Sequence, residues 1–324
     1  MLEELSQIAA ALESTEGTAV TTAAAAAPFI VRGQKFTPNI EMFKRNGRRA
    51  SFSNFPSVPG KRMGTIEFEL DLYGTPSAAT APKYEVFFQA CGLVKATSSN
   101  AFTYTVSSVW DPATMGSSDH KSLTIAFLQD GTRQRIFGAR GTCVLTANAG
   151  EPVVAKFTFI GCIEDLTDTA LLTGISYDTL ADIPPIFVGV GLSIGGLSSS
   201  EAVFSKLEID IGNATFMRTD ANSSTGYKSA YIGDRVATLK IDPEYLTIAQ
   251  GHDFWATWKA GTTAAVTATV GSGTNRIKID APAAQYQNVP RGTRDGLVTA
   301  EVEADLYGSG AAGDDELVIT IGTP

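Results

Sequence analysis

The chain has 324 residues, of which 44% are hydrophobic and 18% are charged, and its net charge is -9 at pH 7. This composition is typical of a folded protein with material for two cores, and it gives no reason to expect general disorder. The negative charge argues against a general nucleic-acid-binding surface, because phosphate binding depends on Lys and Arg. Three cysteines without metal-ligand spacing, Cys91, Cys143 and Cys162, indicate buried free thiols.

Apolar residues recur at helical spacing through residues 2–13 and predict a short amphipathic helix or arm. They are Leu2, Leu5, Ile8, Ala9 and Leu12. The acids of this region, Glu3, Glu4, Glu13 and Glu16, are expected to form a solvated face. The apolar stretch 19–31 is too short to span a bilayer and follows acids instead of bases, so we expect neither a signal peptide nor membrane insertion.

Most segments after Pro28 have the pattern of strands. In residues 65–73, apolar side chains alternate with Glu67, Glu69 and Asp71, and residues 298–306 alternate in the same way with Glu301, Glu303 and Asp305. A period of two places the apolar set on a core face and the acids on the opposite face. The other predicted strands are residues 102–109, 122–128, 143–147, 153–160, 186–194 and 317–321.

Two segments are predicted as helices. Residues 83–90 end at Cys91-Gly92 and residues 252–260 end at Gly261. Glycine can adopt the left-handed conformation that closes a helix.

The chain has the pattern of a duplicated domain. At an offset of 173 residues, Gly60, Arg62 and Thr65 match Gly233, Arg235 and Thr238, while Phe43 matches Phe216 and Arg45 matches Arg218. We therefore predict a mainly β protein of two tandem domains, each with one flanking short helix. The predicted divisions are an N-terminal helix or arm (1–27), a first domain (28–162), a connector (163–184) and a second domain (185–324).

Catalytic patterns are scarce. His120 and His252, the two histidines, have no metal-ligand spacing, and no nucleophile motif is present. The acids Glu67, Glu69, Glu301 and Glu303 have the residue type of a glycosidase pair but not the aromatic-lined cleft that this chemistry needs. We expect no enzyme activity, no metal and no cofactor.

Charge is distributed unevenly along the chain. Residues 32–62 contain eight bases and one acid, so this segment carries +7 and the rest of the chain carries -16. This segregation favours head-to-tail association of copies, whereas the simpler alternative is a basic solvated hairpin. The centre of the segment is a loop with Lys44, Arg45, Arg48 and Arg49 around an Asn46-Gly47 turn.

In the order of its motifs, the chain resembles the major tail tube protein of long-tailed (siphovirus-type) bacteriophages. The resemblance covers most of the chain. It rests on residues 8–18, 59–62, 87–92, 130–131, 138–142 and 314–317.

This resemblance implies β-sandwich or half-barrel domains of the tail-tube type, which pack edge to edge into rings that stack as a hollow tube. Related tubes have six domains per ring, so a doubled chain would need three copies. The expected partners are further copies of the chain, the tape-measure protein, the tail terminator and the distal tail or baseplate proteins. Double-stranded DNA would pass through without specific binding, in a virion tail assembled in the host cytoplasm.

Within this interpretation, the acids Glu67, Glu69, Asp71, Glu301, Glu303 and Asp305 are candidates for the lumen wall, and Lys44, Arg45, Arg48 and Arg49 for an inter-ring contact. The alternative is a carbohydrate- or receptor-binding β-sandwich, which would need exposed aromatic platforms. Of the three tryptophans, Trp110, Trp255 and Trp258, the last two fit a packed helix better.

Overall fold

A computed structural model describes residues 2, 5–77, 79–98, 100–111, 119–178, 180–181, 183–194, 203–248 and 252–323. Within these ranges the protein is mainly β, with antiparallel strands and two short α-helices. This confirms the predicted fold class.

The first half of the chain contains nine strands, six of which form an antiparallel unit. Its strands are β1 (Ser6–Leu12), β2 (Arg32–Phe43), β3 (Val58–Asp71), β4 (Leu93–Ser98), β5 (Ala101–Val106), β6 (Leu123–Gln129), β7 (Thr132–Asn148), β8 (Val154–Ile163) and β9 (Thr167–Asp168), with α1 (Glu85–Ala90) between β3 and β4. The spatial order is β1-β6-β7-β8-β3-β2, and β9 lies beside the first residues of β7.

The second half has the same plan. Its strands are β10 (Ser193–Ile194), β11 (Lys206–Asp210), β12 (Asn213–Thr219), β13 (Tyr227–Arg235), β14 (Thr238–Ile241), β15 (Thr263–Val270), β16 (Ile277–Asn288), β17 (Arg291–Arg294), β18 (Leu297–Ala300), β19 (Val302–Tyr307) and β20 (Val318–Gly322), with α2 (Phe254–Ala260) between β14 and β15. The spatial order is β10-β15-β16-β19-β14-β11, and β20 lies beside the first residues of β16.

Matched glycine–phenylalanine pairs occur in the two halves. An added Cβ on Gly60 would lie 2.3 Å from a ring carbon of Phe43, and one on Gly233 would lie 2.9 Å from the ring of Phe216. Both pairs lie across a hairpin, β2–β3 in the first half and β12–β13 in the second. In each hairpin, glycine makes room for the aromatic ring of the opposite strand.

The two halves share one sheet. Residues 144–148 of β7 pair with residues 206–210 of β11, and residues 101–105 of β5 pair with residues 318–322 of β20. One cluster of buried side chains extends from the first half into the second. The halves therefore meet through backbone hydrogen bonds and a common core.

Both predicted helices are confirmed, and each begins two residues later than expected. The Asp253 carboxylate accepts a hydrogen bond from the Ala256 N–H at 2.8 Å, which caps the start of α2. Gly261 ends α2 with φ of 61°, in the left-handed conformation that favours glycine.

The predicted N-terminal helix is wrong. Residues 6–12 form β1, which pairs along its whole length with β6. Its centre, Ile8, Ala9 and Ala10, is buried. A short run of apolar residues suits a strand that is buried on both faces as well as it suits a helix, and pairing with β6 decides between them.

Two predicted strands also differ from the structure. Of residues 186–194, only Ser193 and Ile194 form a strand, because Gly189 has a φ of 65° that interrupts extended backbone. The strand predicted over 298–306 is divided at Glu301 into β18 and β19.

The predicted connector contacts the first half. Asp178 is buried and accepts hydrogen bonds from the Tyr73 hydroxyl and the Lys83 N–H, both at 3.0 Å. Leu171, Leu172 and Ile175 pack on a small apolar cluster that includes β1 residues.

Candidate assembly surfaces

From β3 across to β19, the shared sheet has one core face and one exposed face. Cross-strand partners point to the same face, so successive partners define a row across the sheet. One row contains Glu69, Lys156, Val144, Asp210, Thr238 and Asp305, from β3 across to β19. The acids of β3 and β19 thus lie on the same face of one sheet, which the sequence pattern did not reveal.

The predicted lumen acids occupy the exposed side of their strands. Glu67, Glu69 and Asp71 are half-buried, and they alternate with the buried residues 66, 68 and 70. Asp305 is half-buried and Glu303 is exposed. Glu301 lies at the break before β19, where its carboxylate accepts a hydrogen bond from the Thr299 hydroxyl at 2.8 Å.

Bases that sequence reasoning missed lie on the same face. The Arg32 guanidinium lies 2.8 Å from the Asp71 carboxylate and 3.5 Å from that of Glu69. A hydrogen bond from Lys206, with further help from Lys240, lowers the pKa of Glu208. In the sequence, charged residues alternate with apolar ones in 154–158 and 206–210, and this pattern indicated the lysines of these two strands on the exposed face. The exposed face therefore combines acidic and basic side chains.

The basic loop, residues 44–57, is organised around Phe55. The guanidinium carbons of Arg45 and Arg49 lie 5.4 and 4.7 Å from the centre of the Phe55 ring. Arg49 also donates hydrogen bonds to the carbonyls of Ser53 and Asn54. Of the four predicted contact bases, these two hold the loop, while Lys44 and Arg48 are exposed on its surface.

Two hairpin arms project from equivalent places in the two halves. The first arm comprises residues 40–62 and the second arm residues 213–235. Ile40 pairs with Arg62 in the first, and Asn213 pairs with Arg235 in the second. Each arm has a register irregularity within two residues of this pair, between Ile40 and Met42 in the first arm and between Ala214 and Thr215 in the second. The arms therefore share a bend as well as a length.

The second arm lies on the first half of the same chain. The Arg62 N–H donates a hydrogen bond to the Thr225 carbonyl at 2.9 Å, and the Cys162 thiol donates one to the Tyr227 carbonyl at 3.4 Å. Gly226 lies so close to Lys61 that an added Cβ would meet its side chain at 2.6 Å.

A buried ion pair anchors this contact. The side chain of Arg140 is fully buried, and its guanidinium lies 2.8 Å from the Glu16 carboxylate. Arg140 also donates hydrogen bonds to the carbonyls of His120 and Ala230, and the Ser229 hydroxyl donates one to Glu16 at 2.7 Å. The pair thus joins the N-terminal segment, β7 and the second arm.

The expectation of a solvated acidic face is wrong for Glu13 and Glu16, which are both buried. Burial raises the pKa of Glu13, although its carboxylate accepts hydrogen bonds from Ser122, Thr124 and the Gly138 N–H. The segment turns inward after β1 and places both acids under the second arm. Glu3 and Glu4 lie outside the described residues.

The predicted thiols are buried and free. Burial raises the pKa values of Cys91, Cys143 and Cys162, that of Cys162 to about 11, so these thiols remain protonated at neutral pH. In the described part of the chain, no group of His, Cys, Asp and Glu is placed to hold a metal ion. No helix within that part is long and apolar enough to cross a membrane.

The tryptophans of α2 are not packed as expected. The exposed fractions of Trp255 and Trp258 are 55% and 39%, while Phe254 of the same helix is buried. Phe254 alone holds the helix to the core by contact with Tyr245 and Tyr286. The outer side of α2 is an exposed aromatic surface.

Over residues 4–306, the sequence matches the family described as phage tail tube protein. The chain belongs to this family. No individually curated protein matches it. Membership makes this tail tube protein a structural component of a phage virion tail that assembles into a tube, and it supports a non-enzymatic role. The match includes both halves of the shared sheet.

In this tail tube protein, we expect Arg140→Met to lower the free energy of unfolding by about 3–5 kcal/mol, because the buried Glu16 carboxylate would lose its partner at 2.8 Å and keep only Arg218 at 3.7 Å. Urea denaturation of the unassembled protein measures this. Arg32→Met is the control: it removes the exposed pairs with Asp71 and Glu69, away from the second arm, and should cost at most about 1 kcal/mol.

The double variant Glu16→Gln/Arg140→Met should lose less stability than the two single variants combined, because the charges stabilise each other. Additive losses would contradict a coupled pair.

Proposed function

We propose that this chain is a duplicated tail tube subunit, of which three copies form a ring with pseudo-sixfold symmetry. The rings stack into a hollow tube through which the DNA genome is ejected. The observation that carries this proposal is the pairing of β7 with β11, which joins two units of the same strand order edge to edge. The strand pairing between β7 and β11 inside the chain is the model for the strand pairing that we propose between chains.

Strands β2 and β17 have free edges at the two positions where pairing between chains would need them. Within the described ranges, β2 pairs only with β3, and β17 pairs only with β18. Strand β17 follows β16 along the chain and corresponds to the last residues of β7. Gly292 of β17 pairs with Thr299, and at the equivalent place in the first half Thr146 of β7 pairs with Val154. The counterpart of the β7–β11 joint is therefore β17 of one copy with β2 of the next.

The hairpin β17–β18 leaves donors on this free edge. Arg294 and Leu297 close a two-residue turn in which Asp295 and Gly296 have φ values of 51° and 83°. The closing pair exchanges the hydrogen bonds of the hairpin, so the N–H of Thr293 points to the other side. Such an edge favours pairing with another strand.

The remaining surfaces fit this assembly as follows. The exposed face with Glu67, Glu69, Asp71, Glu301, Glu303 and Asp305 lines the lumen, where its acids repel DNA phosphates. The loop with Lys44, Arg45, Arg48 and Arg49 contacts the next ring. The tape-measure protein, the tail terminator and the distal tail or baseplate proteins are the further partners, and assembly takes place in the host cytoplasm.

A second candidate function is a carbohydrate- or receptor-binding module. The exposed pair Trp255 and Trp258 on α2 favours it, because aromatic platforms bind sugars and protein partners. Such a module requires no ring, so the state of assembly separates the two candidates.

Purified protein at high concentration is expected to form hollow tubes of stacked three-chain rings in negative-stain electron microscopy. Thr293→Pro should prevent ring closure because it removes an edge donor, while Thr293→Val keeps the N–H and should assemble. Circular dichroism checks that the monomers remain folded. Folded monomers of the unsubstituted protein at every concentration would contradict the proposal and favour the binding module.

Replacing Glu301, Glu303 and Asp305 by lysine should leave tubes intact but lower phage infectivity at least tenfold, because cations in the lumen would retain DNA. Infectivity is measured by complementing a phage that lacks its own tube protein. The matched control replaces the same residues by Gln, Gln and Asn, and it should retain most of the infectivity. Unchanged infectivity of the lysine variant would oppose the lumen assignment.

Charge reversal of Lys44 and Arg48 to Glu should weaken stacking, because these two bases are exposed and do not hold Phe55. We expect shorter tubes that dissociate at lower salt than unsubstituted tubes, measured by electron microscopy and sedimentation. Lys44→Arg/Arg48→Lys is the matched control, because it changes both side chains and keeps both charges. Tubes of normal length and salt stability would eliminate the inter-ring role of the loop.

A further inference from the structure

We propose that the first arm of one copy docks on the second half of the neighbouring copy whose β17 pairs with its β2. This contact would have the same geometry as the docking of the second arm on the first half of its own chain. Residues 51–57 would then lie against Asp234, with Phe52 in the cavity beside it. This inference rests on the proposed ring. It goes further by naming the residues of a lateral contact beyond the paired strand edges.

The two arms are equivalent in register but differ at their ends. Residues 44–57 of the first arm correspond to residues 217–230 of the second. Pairing in the second arm extends to Thr219 and Tyr227, whereas in the first it stops at Phe43 and Val58. The second arm has the first half as its support, and the first arm has no counterpart of that support within the described part of its own chain.

Phe52 is the most exposed large side chain of the first arm. It is fully exposed, while its counterpart Thr225 in the second arm is buried, with an exposed fraction of 4%. A fully exposed phenylalanine at the position of a buried residue indicates a covering surface supplied by another copy.

The second half offers such a surface. In the second half, Val236 and Tyr307 correspond to Met63 and Cys162 of the first half, because β14 pairs with β19 in the same way as β3 pairs with β8. Cys162 is fully buried beside the second arm, but the exposed fractions of Val236 and Tyr307 are 56% and 43%. The surface that is covered in the first half is open in the second.

A cavity of about 440 Å³ lies at this place. Its lining includes Gly233, Asp234, Arg235, Leu306, Tyr307 and Gly308. In the docked second arm, the Thr225 carbonyl accepts a hydrogen bond from the Arg62 N–H. Phe52 is the counterpart of Thr225 and Arg235 is the counterpart of Arg62, so Phe52 of the docked first arm would lie beside Arg235. The cavity is therefore adjacent to the expected position of the aromatic ring.

Charge favours the same pairing of surfaces. In the first arm, Arg45 and Arg49 are exposed and lie over the ring of Phe55, in the same loop as Phe52. The opposing rim contains Asp234, Asp314 and Glu316, where Arg235 pairs with the last two. Unlike charges on the two surfaces select this partner and orient its approach.

Equivalence also provides an atomic distance for a test. A Cβ added to Gly226 would lie 3.3 Å from the Cβ of Lys61. The counterparts of these residues are Ser53 and Asp234, which are both exposed. Cysteines at positions 53 and 234 of neighbouring copies would then be close enough for a disulfide, which needs Cβ atoms about 3.5–4.5 Å apart.

The experiment assembles Ser53→Cys/Asp234→Cys protein into tubes, oxidises them, and separates the products by non-reducing denaturing electrophoresis. We expect dimers and trimers to contain more than half of the protein, no larger species, and full reversal by a thiol. The three native cysteines are buried, so each single variant should give less than a tenth of this cross-linking. Ser53→Cys/Ile248→Cys is the matched control, because Ile248 is exposed and lines a different cavity, beside α2.

Tubes of the double variant without cross-links, or with equal cross-linking in the control, would overturn this docking while leaving the ring proposal intact. A ladder that continues beyond trimers would overturn it too, because it would place the contact between rings. Absence of tubes in the unsubstituted protein would instead overturn the ring and this docking together. As a second measurement, Phe52→Asp should raise the protein concentration needed for tube formation at least tenfold, and an unchanged concentration would oppose the docking.

Discussion

The fold depends on the pairing of β7 with β11. The last residues of β7 extend beyond β6, and their outer backbone groups would lack partners if the first half stood alone. Unpaired backbone groups at a sheet edge cost free energy or invite another strand. Here the second half of the chain supplies that strand, so the two units form one sheet. The same physical requirement at β2 and β17 is the basis of the pairing that we propose between copies.

The buried pair of Arg140 and Glu16 gives this joint its specificity. Hydrogen bonds offset the cost of removing a charged pair from water, and here their partners come from the N-terminal segment, the loop before β6 and the second arm. The second oxygen of Glu16 lies 3.7 Å from the Arg218 guanidinium of the second arm. The second arm is therefore held in one position on the first half. The ion pairs on the exposed sheet face, such as Arg32 with Asp71, lie in water and contribute little to stability.

In this sequence, the alternation of apolar and polar residues and the positions of matched glycines gave correct predictions. The period of two in β3 predicted its core and exposed faces, because side-chain direction in a strand is a local property. The matches at Gly60 and Gly233 lie at equivalent positions, since in both halves an aromatic ring requires a residue without a side chain. The N-terminal helix and the solvated position of Glu16 were wrong, because pairing with β6 and contact with Arg140 depend on residues more than 100 positions away.

The sequence by itself determined the class of fold, the faces of its main strands, both helices and the repeated pattern, because each depends on residues close together in the chain. It also contained the family resemblance that the match over residues 4–306 established. Only the tertiary structure decided which strands are neighbours and that both acidic strands lie on one face with lysines between them. It also decided that the end of the second arm is docked on the first half, while residues 44–54 of the first arm are exposed. These properties arise from hydrogen bonds and packing between distant segments, and no local pattern in the sequence encodes them.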